Sequence, residues 1–215
     1  MATDDRSIGF CKVLTGFTGS LTVTVGASTV AITPEEPTSA LELAYRIDQV
    51  LSALGANPLG LKISAEGVIA WSASSVFTLA ASGNLATRIN LAASATGSTV
   101  STLGPHADGF YPAEGMIVRR PFLASTSQPP IADGSSATMI QPVPTKTEII
   151  VQGSMSDLWS LEDDFSADQL FDYQSGSVFQ GRLRVLSVKR VRDGRLHTRG
   201  HLRLEGQAVF DKGPA

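Results

Sequence analysis

Apolar and polar positions alternate along most of this chain with the period of a strand, and one stretch breaks the alternation. From Ser39 to Leu54 the apolar residues Ala40, Leu43, Ala44, Ile47, Val50, Leu51 and Leu54 recur at helical spacing and form a single stripe. Ser39 stands where an N-cap belongs, Glu42 three residues on completes a capping-box signature, and Gly55 follows at the left-handed stop position. A helix with one apolar face among strands must cover a sheet.

Before the helix, Leu21, Val23 and Val25 alternate with Thr22 and Thr24, Gly26 to Ser28 turn, and Val30 and Ile32 return. After it, Leu61 and Ile63 lead to a Glu66-Gly67 turn. Val68 to Trp71 and Val76 to Leu79 then predict two further strands. Asn84 predicts a cap on a short helical turn whose Leu85 and Ile89 face inward. Residues 21–91 read as one α+β unit. Residues 1–20 read as a polar N-terminal arm.

From Ala92 to Pro144 the composition shifts to Ser, Thr, Gly, Ala and Pro, broken by short apolar pieces at Phe110 to Pro112 and Met116 to Val118. So long a stretch without periodicity predicts a loop or an extended arm ordered by a neighbour. Residues 145–215 resume as a second β-rich unit. Thr147 to Val151 predict a strand, and Ser154 or Ser156 a cap for a helix holding Leu158, Trp159, Leu161 and Phe165. Val178 to Val191 predict a strand whose apolar phase slips between Val185 and Leu186, the mark of a bulge. Asp193-Gly194 signals a hairpin. The pattern predicts an α+β class, mostly β, with one flanking helix per half and small sheets or sandwich-like units joined by a long loop. Each half can be written as strand, helix, hairpin, so a duplication stays open.

Composition narrows the functional classes. The chain has 215 residues, 17% charged, with a formal net charge of -3, so no global charge draws it to DNA or to an anionic membrane. Cys11, its one cysteine, excludes an internal disulfide. The opening MATDDRSIGF is neither a signal peptide nor a membrane span, which predicts a soluble protein made in a cytoplasm, without a membrane partner.

Chemistry is sparse. His197 and His201 are spaced i, i+4, but on a strand they stand about 13 Å apart, too far for one ion. His106 has no visible partner. Asp163 and Asp164 point about 100° apart on a helix and read as a solvated acidic face. No nucleophile elbow, phosphate loop or dinucleotide fingerprint occurs. The expectation is a protein without enzymatic activity, cofactor or metal.

Arg182, Arg184, Lys189, Arg190, Arg192, Arg195, Arg199 and Arg203 gather on the closing hairpin, after an acidic helix. Three readings stand: a solvated face, a subunit interface where bases of one copy meet acids of the next, or a nucleic-acid contact. The interface reading singles out Arg190, Arg199 and Arg203 against Asp163 and Asp164. In another class, Trp71, Tyr111 and Trp159 suit the aromatic platform of a carbohydrate-binding module.

The run VFTLAASGNLATRINL, the later FYPAEGMIVRRP and the closing LRVLSVKRVRDGRLHTRGHLRLEGQAV together resemble structural proteins of long-tailed bacteriophages. The likeness covers Leu59 to Pro121 and Val178 to Val209. Where that family's turn ends in leucine-glycine-phenylalanine, this chain has Ile89-Asn90-Leu91. The resemblance implies a virion component assembled in the bacterial host's cytoplasm. Its partners would be copies of itself in a ring and other tail or connector proteins. DNA would meet it only in passing through a tail lumen. The expectation is a tail subunit that self-assembles into a ring or tube, with head decoration and head-to-tail connector as alternatives.

Overall fold

The computed structural model describes residues 9–64, 67–104, 110–112, 115–119, 125–127, 139–141, 146–154, 162–163, 169–175, 178–192 and 199–210. The fold is α+β and mostly β, as the patterning predicts, built on two antiparallel sheets. Among the described residues, no helix is long and apolar enough to cross a membrane.

The first sheet is centred on one long strand, β5 (Ile69–Ala81). The other strands are β2 (Leu21–Val25), β3 (Ser28–Ile32), β4 (Pro58–Ile63) and β6 (Ser94–Ser101). Along one side of β5, β4 pairs with its first half and β2 with its second; β6 runs along the other side. β3 lies beyond β2. The expected strands at Val68–Trp71 and Val76–Leu79 are thus one. The polar residues Ser72, Ser74 and Ser75 interrupt the apolar signal but not the backbone, which shifts register against β6 between Ser72 and Phe77.

Helix α1 (Ala40–Ala53) covers one face of this sheet. Leu43, Ala44, Ile47 and Leu51 are buried with Leu21, Val23, Leu61, Ile63, Trp71, Phe77 and Leu79. Trp71 donates its indole N–H to the Ala44 carbonyl at 3.0 Å, tying sheet to helix. Ser39 caps the helix by accepting from the Glu42 N–H at 3.0 Å. At the far end Gly55 adopts φ +70. There Ala56 N–H reaches Leu51 O and Gly55 N–H reaches Ser52 O, both at 3.0 Å. That pair of bonds is a Schellman motif, and it needs the left-handed residue. The turn α2 (Leu85–Arg88) buries Leu85 and Ile89 as expected. Asn84 uses its side chain elsewhere, accepting from Thr18 N–H at 2.7 Å and donating to Gly16 O at 2.8 Å.

The second sheet joins β7 (Phe110–Pro112), β1 (Gly9–Lys12), β12 (Leu170–Ser175), β13 (Val178–Arg192), β14 (Arg199–Phe210), β11 (Lys146–Ser154) and β8 (Gly115–Arg119), in that order. Its edges, β7 and β8, are separated in sequence by two residues. Three Cα steps span at most about 11 Å, whereas seven flat strands would hold the edges about 29 Å apart. The sheet therefore curls until its edges meet. β7 is antiparallel to β1 and β8 to β11, so the two run the same way as successive halves of one closing strand. The result is a small antiparallel barrel filled by Phe10, Phe171, Tyr173, Leu183, Val185, Leu204, Ile149 and Val151, each at most 2% exposed. The interior is tight: a Cβ on Gly206 would lie 2.5 Å from Leu183 Cδ1. The expected bulge is present, with β13 shifting against β14 between Val185 and Ser187.

Two expected boundaries move. Residues 1–20 are not simply a polar arm: β1 is a buried barrel strand, Leu14 bridges Thr38, and Phe17 packs in the core. Residues 92–144 are not simply a linker or a trans-acting arm: they supply β6, β7, β8, β9 (Ser125–Ser127) and β10 (Met139–Gln141). β6 gives little apolar signal because it is an edge strand burying only Val100. In the predicted second helix, Glu162 and Asp163 are helical; Trp159, Asp164 and the remaining expected helix positions lie outside the described residues, as does the Asp193-Gly194 turn.

Candidate functional site

The densest polar chemistry among the described residues sits between the two units, where the first turn of α1 meets β12 and β13. Alternation along β12 sends Phe171 and Tyr173 into the barrel and turns Asp172 outward, toward the helix. Arg182 is its cross-strand partner on β13. The guanidinium forks onto Asp172, with Nε donating to Oδ1 at 2.7 Å and Nη2 to Oδ2 at 3.0 Å. Nη2 also reaches Glu42 Oε2 at 2.7 Å, and Nη1 the Pro37 carbonyl at 3.1 Å.

The cap itself takes part. Ser39 Oγ donates to Asp172 Oδ2 at 2.5 Å while accepting from Glu42 N–H. Thr38 Oγ1 donates to Glu42 Oε2 at 3.0 Å. Arg46 extends the cluster outward, bridging Glu42 at 3.3 Å and the exposed Glu35 at 3.0 Å. Asp172 is fully buried, and Arg182 and Glu42 are 7% and 6% exposed.

Burial pushes the Asp172 carboxyl above its usual value, opposed by the Arg182 fork and the Ser39 hydroxyl. For Arg182, burial works downward, but the Asp172 and Glu42 carboxylates outweigh it and raise the guanidinium. A charge-assisted cluster of this kind fixes the orientation of one unit on the other. Removing a member would strand buried charge.

This placement corrects the reading of Arg182 as part of a solvated or intersubunit basic face. Period-2 patterning gives it the same weight as Arg184, which is exposed two residues on. Its partners Glu42 and Asp172 lie 140 and 10 residues away, so no local spacing announces them. Glu42 carries its expected cap position, but its carboxylate serves the junction.

The residues expected at a subunit interface lie on β13, β14 and the turn at Glu162 and Asp163. Arg203, on β14, is half exposed and pairs with Glu148 of the neighbouring β11, with Glu205 at 3.9 Å. Its acidic neighbours thus come from its own sheet. Arg199 pairs in the ladder with Ser154, and Arg190 with Leu202. Asp163 is exposed on its helical turn, and Asp164 lies outside the described residues.

The aromatic platform also fails at its first member. Trp71 is 1% exposed, with its indole N–H engaged by the helix. Tyr111 packs against the barrel core. Among the described residues, no three His, Cys, Asp or Glu side chains are grouped to hold a metal ion. Cys11 is buried.

Comparison with protein families, with characterised proteins and with solved structures gives no match.

Proposed function

We propose that this chain is a non-enzymatic structural subunit of a bacteriophage virion, a tail component that self-assembles into a ring or tube. The observation that carries the reading is a body built to hold its shape. A side-chain-filled barrel and a helix-covered sheet are fastened by a buried cluster in which Asp172 and Glu42 both accept hydrogen bonds from Arg182. The segments that resemble tail proteins supply the second half of β5, α2, the strand that closes the barrel, and the β13–β14 pair. They are framework rather than ornament. Copies of the chain are the natural partners of such a framework.

Light scattering across a concentration series, with negative-stain microscopy of the same samples, tests the reading. Discrete oligomers visible as rings or tubes are expected. A monomer at every concentration up to the solubility limit overturns it.

A further inference from the structure

The barrel closes on itself, but among the described residues the helix-covered sheet keeps open edges; one of them, β4, pairs only with β5 and carries Pro58 and Lys62, and two others, β3 and β6, remain. β3 pairs only with β2, and β6 only with β5, among the named strands. Neither of these two strands contains a charged residue or a proline: the sequences are STVAI and SATGSTVS. Edges are ordinarily protected by such residues.

Hydrogen-bond phase can be assigned on both edges. Val25 and Ser28 close a two-residue turn, and such a closing pair exchanges both of its bonds. Ser28, Val30 and Ile32 therefore direct N–H and C=O toward β2, while Thr29 and Ala31 direct theirs to the open side. The Thr24 and Thr29 hydroxyls lie 3.0 Å apart, as befits the close side chains of a non-bonded pair. On the other edge Ala81 N–H donates to Ala93 O at 2.9 Å. The alternation then leaves Ser94 and Thr96 with outward-directed N–H and C=O. The Thr78 and Thr96 hydroxyls, 2.8 Å apart, mark a non-bonded pair with β5.

Direction and register match as well. β3 and β5 run one way, β2 and β6 the other. Two transverse rows cross all four strands: Thr29, Thr24, Thr78, Thr96, and Ala31, Thr22, Ala80, Ser94. A sideways repeat of the sheet sets β3 antiparallel to β6 of the next copy. It puts Thr29 opposite Thr96 and Ala31 opposite Ser94, each residue presenting its free backbone groups to the other.

Beneath β3 an open groove of about 750 Å³ lies against α1, lined among others by Val30, Glu35, Arg46 and Val50. The residues that β6 would bring to that side, Ala95 and Gly97, are small.

We propose that the five-stranded sheet is continued from one copy of the chain to the next by antiparallel pairing of the β3 edge with the β6 edge, in the register Thr29–Thr96 and Ala31–Ser94. This rests on the assembly reading above and specifies its contact. The interface is heterologous, so repetition yields a ring if the rotation closes and a filament if it does not.

Cysteine cross-linking tests the pairing. Opposed residues of a bonded antiparallel pair have Cα atoms about 5.5 Å apart, within disulfide range. Under mild oxidation, Thr29→Cys/Thr96→Cys should give a covalent ladder. Each single variant should give no covalent dimer, and their mixture should stop at the dimer. Self-linking of a single variant would show like edges pairing and overturn the register. No ladder from a double variant that light scattering shows assembled would overturn the edge contact and leave the assembly reading standing. A wild-type chain that never assembles sinks both. As a second measure, Ala31→Pro removes one outward N–H without touching the β2 ladder. It should weaken self-association about tenfold or more, with unchanged circular dichroism; unaltered association counts against the proposal.

Discussion

The two sheets solve the same burial problem differently. The barrel curls, fills its interior with its own side chains and, among the described residues, leaves no long open edge. The other sheet stays open, borrows α1 to cover one face, and keeps uncharged edges at β3 and β6. Covering a face with a helix costs little sequence but leaves backbone groups unpaired at the margins. Closing a barrel satisfies those groups but spends the margins. On the edge pairing proposed above, the closed unit would supply rigidity and the open one contact.

The strongest way to break the comparison is to uncouple the units. Arg182→Met leaves Asp172 and Glu42 as buried carboxylates without their shared cation, and should cost about 3–5 kcal/mol. Chemical denaturation should then separate into two transitions, sheet unit and barrel. A single transition with a loss below about 1 kcal/mol would show that the cluster does not hold the units together.

Removing the helix cover should act on one side only. Ile47 is fully buried under α1, and Ile47→Ala should cost about 2–5 kcal/mol as a core truncation. Hydrogen exchange should speed up in α1, β2 and β5, while β12, β13 and the β14 positions paired with them keep their protection. Uniform acceleration would mean that the two units open as one.

The smallest effect concerns Asp48, half-buried on α1, whose Oδ1 takes no hydrogen bond among the described residues. Burial raises its carboxyl above the usual 3.8. The folded state therefore holds the proton to higher pH than the unfolded one. Its contribution to stability is present below pH 3.8 and is lost as pH rises through the folded value. Asp48→Asn should accordingly be more stable than wild type at neutral pH, and the advantage should vanish in acid. Denaturant titrations at both ends of that range measure the difference.

Much of the open unit is legible in the sequence. The stripe from Ala40 to Leu54, the cap at Ser39 and the stop at Gly55 are local signals, and each lands where the pattern puts it. The slip between Val185 and Leu186 also declares its bulge, because a phase change in a period-2 pattern has few other causes. The barrel's closure is not legible. β7 is three residues long and β8 five, too short for alternation to register. β1 hides behind a polar start. The junction is hidden for a different reason: Ser39, Glu42, Asp172 and Arg182 each have an ordinary local role, and only the fold makes them neighbours.

The capped end of α1 has a mechanical consequence. The helix holds 14 residues, about 21 Å of stiff rod. Its N-terminal turn is gripped by β12 and β13 through Ser39, Glu42 and Arg182, and its other end feeds through the Gly55 turn into β4. A push or twist on the barrel would reach the far side of the open sheet along this strut, in parallel with the core under α1, to which the barrel strands contribute Cys11 and Phe110. If copies assemble as proposed above, α1 would be a member that carries load through each subunit.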